Sequence, residues 1–89
     1  MDEAEKRLKL IEKIESFRNL KENWNGYGAL PLPKNVINKA IILASEMYPI
    51  PEAFPTACDS IQLEWEMDCT YLELEIFENE TNVFVDILP

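Results

Sequence analysis

The sequence contains no histidine, only two glycines, only two cysteines and no basic residue after Lys39. The lack of histidine removes the commonest general base and a common metal ligand. No Gly-rich phosphate loop, serine elbow or paired-cysteine motif is present. These absences argue against an enzyme, so we predict no catalytic residue, no metal ligand and no cofactor.

The cysteines Cys58 and Cys69 are expected to lie on the order of 30 Å apart along the chain, which is too far for a disulfide. Two unpaired thiols are typical of a reducing cytoplasm. The first residues carry no apolar segment like that of a signal peptide, and no apolar run approaches the roughly 18 residues of a membrane span. The sequence therefore predicts a cytoplasmic protein that makes no membrane contact.

Charge is distributed unevenly over the 89 residues, which we expect to form a single domain, 1–89. Residues 1–39 contain all 8 basic side chains, whereas residues 40–89 contain eleven acidic side chains and no basic one. The net charge of −9 argues against direct nucleic-acid binding, because phosphate recognition depends on lysine and arginine. The asymmetry favours either an interaction surface or an acidic surface that only keeps the protein soluble.

Hydrophobic spacing predicts two helices. The first begins after Asp2, where Glu5 completes a capping-box pattern, and the second begins at Pro33 and ends before Pro49. The outer face of the first helix is basic, with Lys6, Lys9, Lys13 and Arg18. The predicted order is helix 3–22, turn 23–32, helix 33–48, proline-rich connector 49–60 and sheet 61–88.

From Ile61 onward the hydrophobic period changes to two, which predicts three antiparallel strands. A two-residue turn at Asp68-Cys69 pairs Trp65 with Leu72, Leu63 with Leu74 and Ile61 with Ile76. A two-residue turn at Asn79-Glu80 pairs Ile76 with Val83, Leu74 with Val85 and Leu72 with Ile87. All these apolar residues fall on one face. We therefore predict an α+β fold (ααβββ), in which two helices pack on one face of a three-stranded antiparallel β-meander.

The other face of that sheet is predicted to be acidic. Glu64, Glu73 and Asp86 should form one row, Glu75 should lie between Gln62 and Phe84, and Glu66, Tyr71 and Leu88 should form a third row. Like charges at such short spacing are destabilising unless they are well hydrated or used. The candidate partner-binding residues are Glu64, Glu66, Tyr71, Glu73, Glu75, Phe77, Phe84 and Asp86.

Four interpretations of this face remain open. It is a solvated surface, or it binds a basic protein partner through acids and aromatic anchors. Alternatively, copies of the chain self-associate, either as a homodimer through edge strands or with helix 1 on the acidic sheet. The fourth alternative is a divalent cation on the carboxylate row, which would suit a carboxylate-based metal-dependent hydrolase.

The segment from Asn23 to Ala29 breaks the first helix and is rich in asparagine and glycine. We expect Trp24 and Tyr27 to plug the ends of the core. The alternative is that these two residues form a second, exposed contact surface.

Several features of the sequence together resemble a family of small uncharacterised bacterial proteins. They are the motif Trp24-Asn25-Gly26-Tyr27-Gly28-Ala29, a helix that starts at a proline, the residues Pro55, Asp59 and Ile61, and the segment Leu63-Glu64-Trp65. Members have a Trp-Asp/Asn-Gly turn and a later apolar-Glu-Trp strand, and the resemblance covers roughly residues 20–77. Ser60 stands where a glycine is expected. The resemblance brings no activity and implies a bacterial, cytoplasmic accessory protein.

Taken with the acidic face, these features predict a non-enzymatic protein-interaction module that binds a basic protein partner. An inhibitor, antitoxin-like or nucleic-acid-mimicking role would suit such a face. The alternatives are the metal-dependent hydrolase and a homo-oligomeric structural protein.

Overall fold

The computed structural model describes residues 2–87 and the side chains of residues 2–86. The elements are α1 (Glu3–Ser16), a 3₁₀ turn (Phe17–Asn19), α2 (Lys34–Glu46), β1 (Glu52–Pro55), β2 (Ile61–Met67), β3 (Thr70–Ile76) and β4 (Thr81–Ile87). The strands form one antiparallel sheet in the order β1-β2-β3-β4. The predicted α+β class is confirmed, but the sheet has four strands rather than three.

Helix α1 begins as its sequence predicts and ends earlier. The Asp2 carboxylate accepts a hydrogen bond of 2.9 Å from the Glu5 backbone N–H, which caps the first turn. The α-helix ends at Ser16, whose hydroxyl donates to the Lys13 carbonyl, a local bond with which serine competes against regular helix geometry. The chain tightens into the 3₁₀ turn and is extended at Leu20, so the predicted helix of residues 3–22 is shorter in the structure.

Helix α2 buries one apolar face in the core. Val36, Ile37, Ala40 and Ala44 are buried, at the helical spacing that predicted the element. Pro33 lies just before the first helical residue, and the backbone is extended at Met47, so α2 is slightly shorter than the predicted 33–48.

Strand β1 lies within the segment 49–60, which the sequence predicted as a connector. Glu52, Ala53, Phe54 and Pro55 pair with Glu64, Leu63, Gln62 and Ile61 of β2. Ala53 is buried and extends the apolar face of the sheet by one strand. A four-residue strand that ends in proline gives almost no periodic signal, and proline is tolerated there because β1 is an edge strand.

The register of the first hairpin is confirmed. Trp65 pairs with Leu72, Leu63 with Leu74 and Ile61 with Ile76. The turn residue Asp68 has φ +45°, a left-handed conformation that aspartate tolerates better than most residues.

The predicted register of the second hairpin is wrong by two residues. Ile76 pairs with Thr81, Leu74 with Val83 and Leu72 with Val85. The reason is the position of the turn: the Phe77 N–H donates to the Glu80 carbonyl at 2.8 Å, so Glu78 and Asn79 occupy its centre. A shift of two keeps each residue on its predicted face, because side chains alternate along a strand. Leu88, predicted as part of the sheet, lies outside the described residues.

The core lies between the helices and one face of β1 to β3. Its buried residues include Leu10, Ile14, Phe17, Val36, Ile37, Ala40, Ala44, Ala53, Ile61, Leu63, Trp65, Leu74 and Ile76. The two helices were predicted to pack on this apolar face of the sheet. Their substantial contacts are with β1, β2 and β3, and in β4 Val83 and Val85 remain exposed.

Candidate binding face

We call the side of the sheet that faces away from the core the acidic face. It consists of the outward-facing residues Glu52, Phe54, Gln62, Glu64, Glu66, Tyr71, Glu73, Glu75, Asn82, Phe84 and Asp86. The alternation of buried and outward residues in β2 and β3 places these side chains together, as the two-residue period predicted.

The central row of the acidic face crosses all four strands. Glu52 pairs with Glu64, Glu64 with Glu73, and Glu73 with Phe84. The sequence predicted Asp86 where Phe84 lies, and the two-residue shift of β4 explains the error. Glu52 was missed because its strand was not recognised.

The two outer rows also differ from the prediction on the β4 side. Asp86 pairs with Tyr71, which in turn pairs with Glu66. Glu75 was expected next to Phe84 and instead pairs with Asn82. Except for Phe77, which lies in the turn after β3, the acidic face therefore keeps the candidate residues predicted for it, whereas Asp86 lies outside the central row.

Tyr71 is held within the acidic face by a glutamate on its own strand. Its hydroxyl donates to Glu73 Oε1 at 3.0 Å. Burial, together with hydrogen bonding to Glu64 and Glu73 and the negative charge of both carboxylates, raises the pKa of the Tyr71 phenol above its ordinary value. Tyr71 therefore stays protonated and acts as a donor over an extended alkaline range.

A cleft of about 260 Å³ opens at one corner of the acidic face. Strand β1 begins opposite Glu64, so residues 65–67 of β2 extend past it without a strand partner on that side. The chain between α2 and β1 forms the opposite wall of the cleft. The lining residues are Pro49, Ile50, Glu52, Glu64, Trp65, Glu66, Met67 and Tyr71.

Both acidic and apolar groups line this cleft. Glu52, Glu64 and Glu66 supply three carboxylates, and Trp65 and Tyr71 supply aromatic rings. The Trp65 indole N–H donates to the Pro49 carbonyl, which fixes the connector against the sheet. Within residues 2–87, none of these glutamates forms a salt bridge. The two salt bridges of this part of the chain, Glu3–Arg7 and Glu15–Arg18, both lie in the helical segment.

Two predicted site residues have structural partners instead. The Glu75 carboxylate accepts a hydrogen bond of 2.6 Å from the hydroxyl of fully buried Ser60, which ties the β1–β2 loop to β3. Phe77 is half-buried at the turn after β3, and its carbonyl accepts a bond of 3.2 Å from the Lys39 ammonium. Neither residue lines the cleft.

Basic side chains gather along α1, near the outer edge of β1. Lys6, Lys9 and Lys13 line a second cleft, with Ile50 and Pro51 among its apolar residues. The Lys13 ammonium lies 4.4 Å from the centre of the Phe54 ring, a cation–π contact. Glu52 of the acidic face also lines this second cleft, so the basic side chains of α1 approach the acidic face at its β1 edge.

The turn after α1 is closed by its own asparagine side chains. Asn23 Oδ1 accepts from the Gly28 N–H at 2.7 Å, and Asn25 Oδ1 accepts from the N–H groups of Tyr27 at 2.8 Å and Ala29 at 3.1 Å. Asn23, Gly26 and Gly28 all have positive φ, which explains the residue types in the motif.

This closed turn displays Tyr27 rather than burying it. The Tyr27 side chain is 92% exposed, so the expectation that it plugs the core is wrong. Trp24 is half-buried, and its indole N–H donates to the Leu30 carbonyl at 2.9 Å. Trp24 therefore braces the turn, and Tyr27 alone fits the alternative of an exposed aromatic contact.

No family model, curated protein or solved structure matches the chain, so the resemblance to a bacterial family stays a prediction from the motif. Within residues 2–87, neither helix has both the length and the apolar character needed to cross a membrane. The same residues contain no group of three or more cysteine or acidic side chains placed to hold a metal ion.

Proposed function

We propose that this protein is a non-enzymatic interaction module of the bacterial cytoplasm that binds a basic protein partner through its acidic face. The observation that carries the proposal is the cleft in which Glu52, Glu64 and Glu66 stand around aromatic walls without an ion-pair partner among the described residues. An inhibitory, antitoxin-like or nucleic-acid-mimicking role is compatible with such a face. The proposal needs no cofactor, and it does not involve nucleic acid or a membrane.

The chemistry of the cleft suits an arginine side chain of the partner. A guanidinium group donates to carboxylates in a planar fork and stacks on aromatic rings. Tyr71 supplies such a ring beside the glutamates, whereas Trp65 also lines the cleft but is only 6% exposed. At about 260 Å³ the cleft is smaller than a usual cofactor site of roughly 300–1,000 Å³, which favours a single inserted side chain.

The experiment is a titration of the isotope-labelled protein with short peptides that differ only in one central residue: arginine, lysine or glutamate. We expect the arginine peptide to shift backbone resonances around residues 49–52, 64–67 and 71, and the glutamate peptide to shift none of them. Glu64→Gln should weaken arginine-peptide binding by about tenfold, the loss of one charge-assisted hydrogen bond.

Glu78→Gln is the matched control, because Glu78 is an exposed acid in the turn before β4 and lies outside the cleft. It changes the net charge by the same amount and should leave the affinity unchanged. Equal weakening by both variants would mean that the peptide responds to overall charge, and the cleft would lose its assigned role.

The hydrolase alternative has less geometric support. It required Glu64, Glu73 and Asp86 in one row, and β4 places Phe84 beside Glu73 instead. Carboxylates on neighbouring strands project side by side and do not converge on one point as the ligands of Mg²⁺ or Ca²⁺ must.

A further inference from the structure

The two edges of the sheet are built differently. The β1 edge has four residues, with Pro51 just before it and Pro55 at its end, and Lys13 covers its Phe54 ring. Proline and lysine are residues with which proteins protect an edge strand from pairing. The β4 edge has seven residues from Thr81 to Ile87, with no proline and no lysine.

Strand β4 is also unusually apolar for a strand at the surface. The consecutive residues Val83, Phe84 and Val85 are 63%, 55% and 55% exposed. Val83 and Val85 share the face on which the helices pack, but the substantial helix contacts stop at β3. A long, apolar, unprotected edge of this kind is a template for another strand.

We propose that β4 pairs with β4 of a second copy of the chain, antiparallel about a two-fold axis at Phe84. In this register Phe84 meets Phe84 of the second copy, and Val83 meets Val85. The two four-stranded sheets then join into one continuous sheet of eight strands. A two-fold interface requires a self-complementary patch, and the sequence Val83-Phe84-Val85 reads the same in both directions.

The backbone of β4 has the parity that this register needs. The Phe77 N–H bonds to the Glu80 carbonyl, and hydrogen-bonded and non-hydrogen-bonded pairs alternate along an antiparallel ladder. Phe84 therefore bonds to Glu73, while the N–H and C=O groups of Val83 and Val85 point toward the free edge. With the axis at Phe84, these outward groups face one another and can pair.

The charges of β4 single out the same register. Asp86 meets Asn82 of the second copy, so a carboxylate lies opposite an amide that can donate to it. An axis at Val83 would place Asp86 opposite Glu80, and an axis at Val85 would place it opposite Phe84. The axis at Phe84 alone among these three avoids both a like-charge pair and an unmatched carboxylate.

The expected interface is small compared with the roughly 800 Å² per partner of a standard stable complex. We therefore expect a dimer that dissociates at micromolar concentration. The first experiment is sedimentation velocity on the full chain from micromolar to millimolar concentration. Val85→Pro removes only an outward N–H and should abolish the dimer, whereas Val85→Thr keeps that donor and should dimerise like the wild type.

A second experiment tests the axis and does not depend on proline being tolerated. In a Cys58→Ser, Cys69→Ser background, Phe84→Cys places two thiols at a non-hydrogen-bonded pair, where Cα atoms lie about 4.5 Å apart and can form a disulfide. Asn82→Cys is the control, because its two copies lie about 14 Å apart in this register. Oxidation should cross-link the first variant into a dimer and leave the second monomeric.

A protein that is monomeric at millimolar concentration overturns the proposal, and so does a dimer that Val85→Pro leaves intact. Equal cross-linking of the two cysteine variants would show random collision or another register, which also contradicts it. Glu64→Gln should not alter the dimer. A protein that dimerises but does not bind the arginine peptide would contradict only the function proposed above. A protein that binds the peptide but does not dimerise would contradict only this proposal.

Discussion

The Tyr71 phenol lies on the acidic face, where two glutamates oppose its ionisation. Because its pKa is raised in the folded protein, the unfolded chain releases this proton first when the pH rises. The stabilising contribution is therefore complete below about pH 10, the ordinary tyrosine pKa, and is lost progressively as the pH climbs through the higher folded value.

Tyr71→Phe is the variant that isolates this effect. We expect the stability of the wild type relative to Tyr71→Phe to be constant in neutral solution and to fall above about pH 10. Urea unfolding of both proteins over a series of pH values measures it. A relative stability that rises with pH in this range would contradict a raised pKa of Tyr71 in the folded protein. The difference in phenolate absorbance between the two proteins gives an independent titration of Tyr71.

At the scale of elements, Arg7 connects the two helices. Its Nη1 donates to the carbonyls of Ala44 at 2.8 Å and Met47 at 2.9 Å, at the C-terminal end of α2. A cation there satisfies carbonyls that have no partner within the helix and interacts favourably with the helix dipole. Arg7→Met should lower the free energy of unfolding by about 1–3 kcal/mol, measured in urea.

Lys6→Met is the control for this substitution, since Lys6 is an exposed residue of the same helix and its replacement changes the charge equally. Its effect should stay within about 0.5 kcal/mol. Equal losses in the two variants would indicate that Arg7 acts through its charge alone and that its bonds to α2 contribute little.

The elements also show what the sequence could and could not predict. The period-two segments fixed which side chains of β2 and β3 face the core, because that parity survives any shift by two residues. The position of the second turn was not predictable in the same way, since residues 77–80 contain no glycine to mark it. β1 was missed because only Ala53 of its four residues is buried, and Glu52 was lost with it.

The cleft could not be predicted from any local pattern in the sequence. Its walls combine one end of β2 with the chain between α2 and β1, segments that meet only through tertiary packing. The acidic side chains were predictable from alternation, whereas their position beside Pro49 and Ile50 was not. The exposure of β4 was likewise not predictable, because Val83 and Val85 follow the same alternation as core residues. They stay exposed because the layer formed by the two helices does not extend over β4.

For the molecule as a whole, the net charge of −9 gives the two proposed interactions opposite responses to salt. Ions screen attraction between the acidic face and a basic peptide, so affinity for the arginine peptide should fall between about 0.02 M and 0.5 M sodium chloride. Two acidic copies repel each other at low salt, and pairing through β4 is apolar, so dimerisation should strengthen over the same range.

Peptide titration and sedimentation across that salt series measure the two responses, and the Val85→Pro monomer reports the peptide response without the dimer. A peptide affinity that does not change with salt concentration would show that the peptide does not bind through the acidic face. A dimer that weakens as salt rises would be held by charge, as expected if the lysines of α1 in one copy met the acidic face of another. The sign of the salt effect therefore decides between β4 pairing and that head-to-tail contact, because only the latter joins groups of opposite charge.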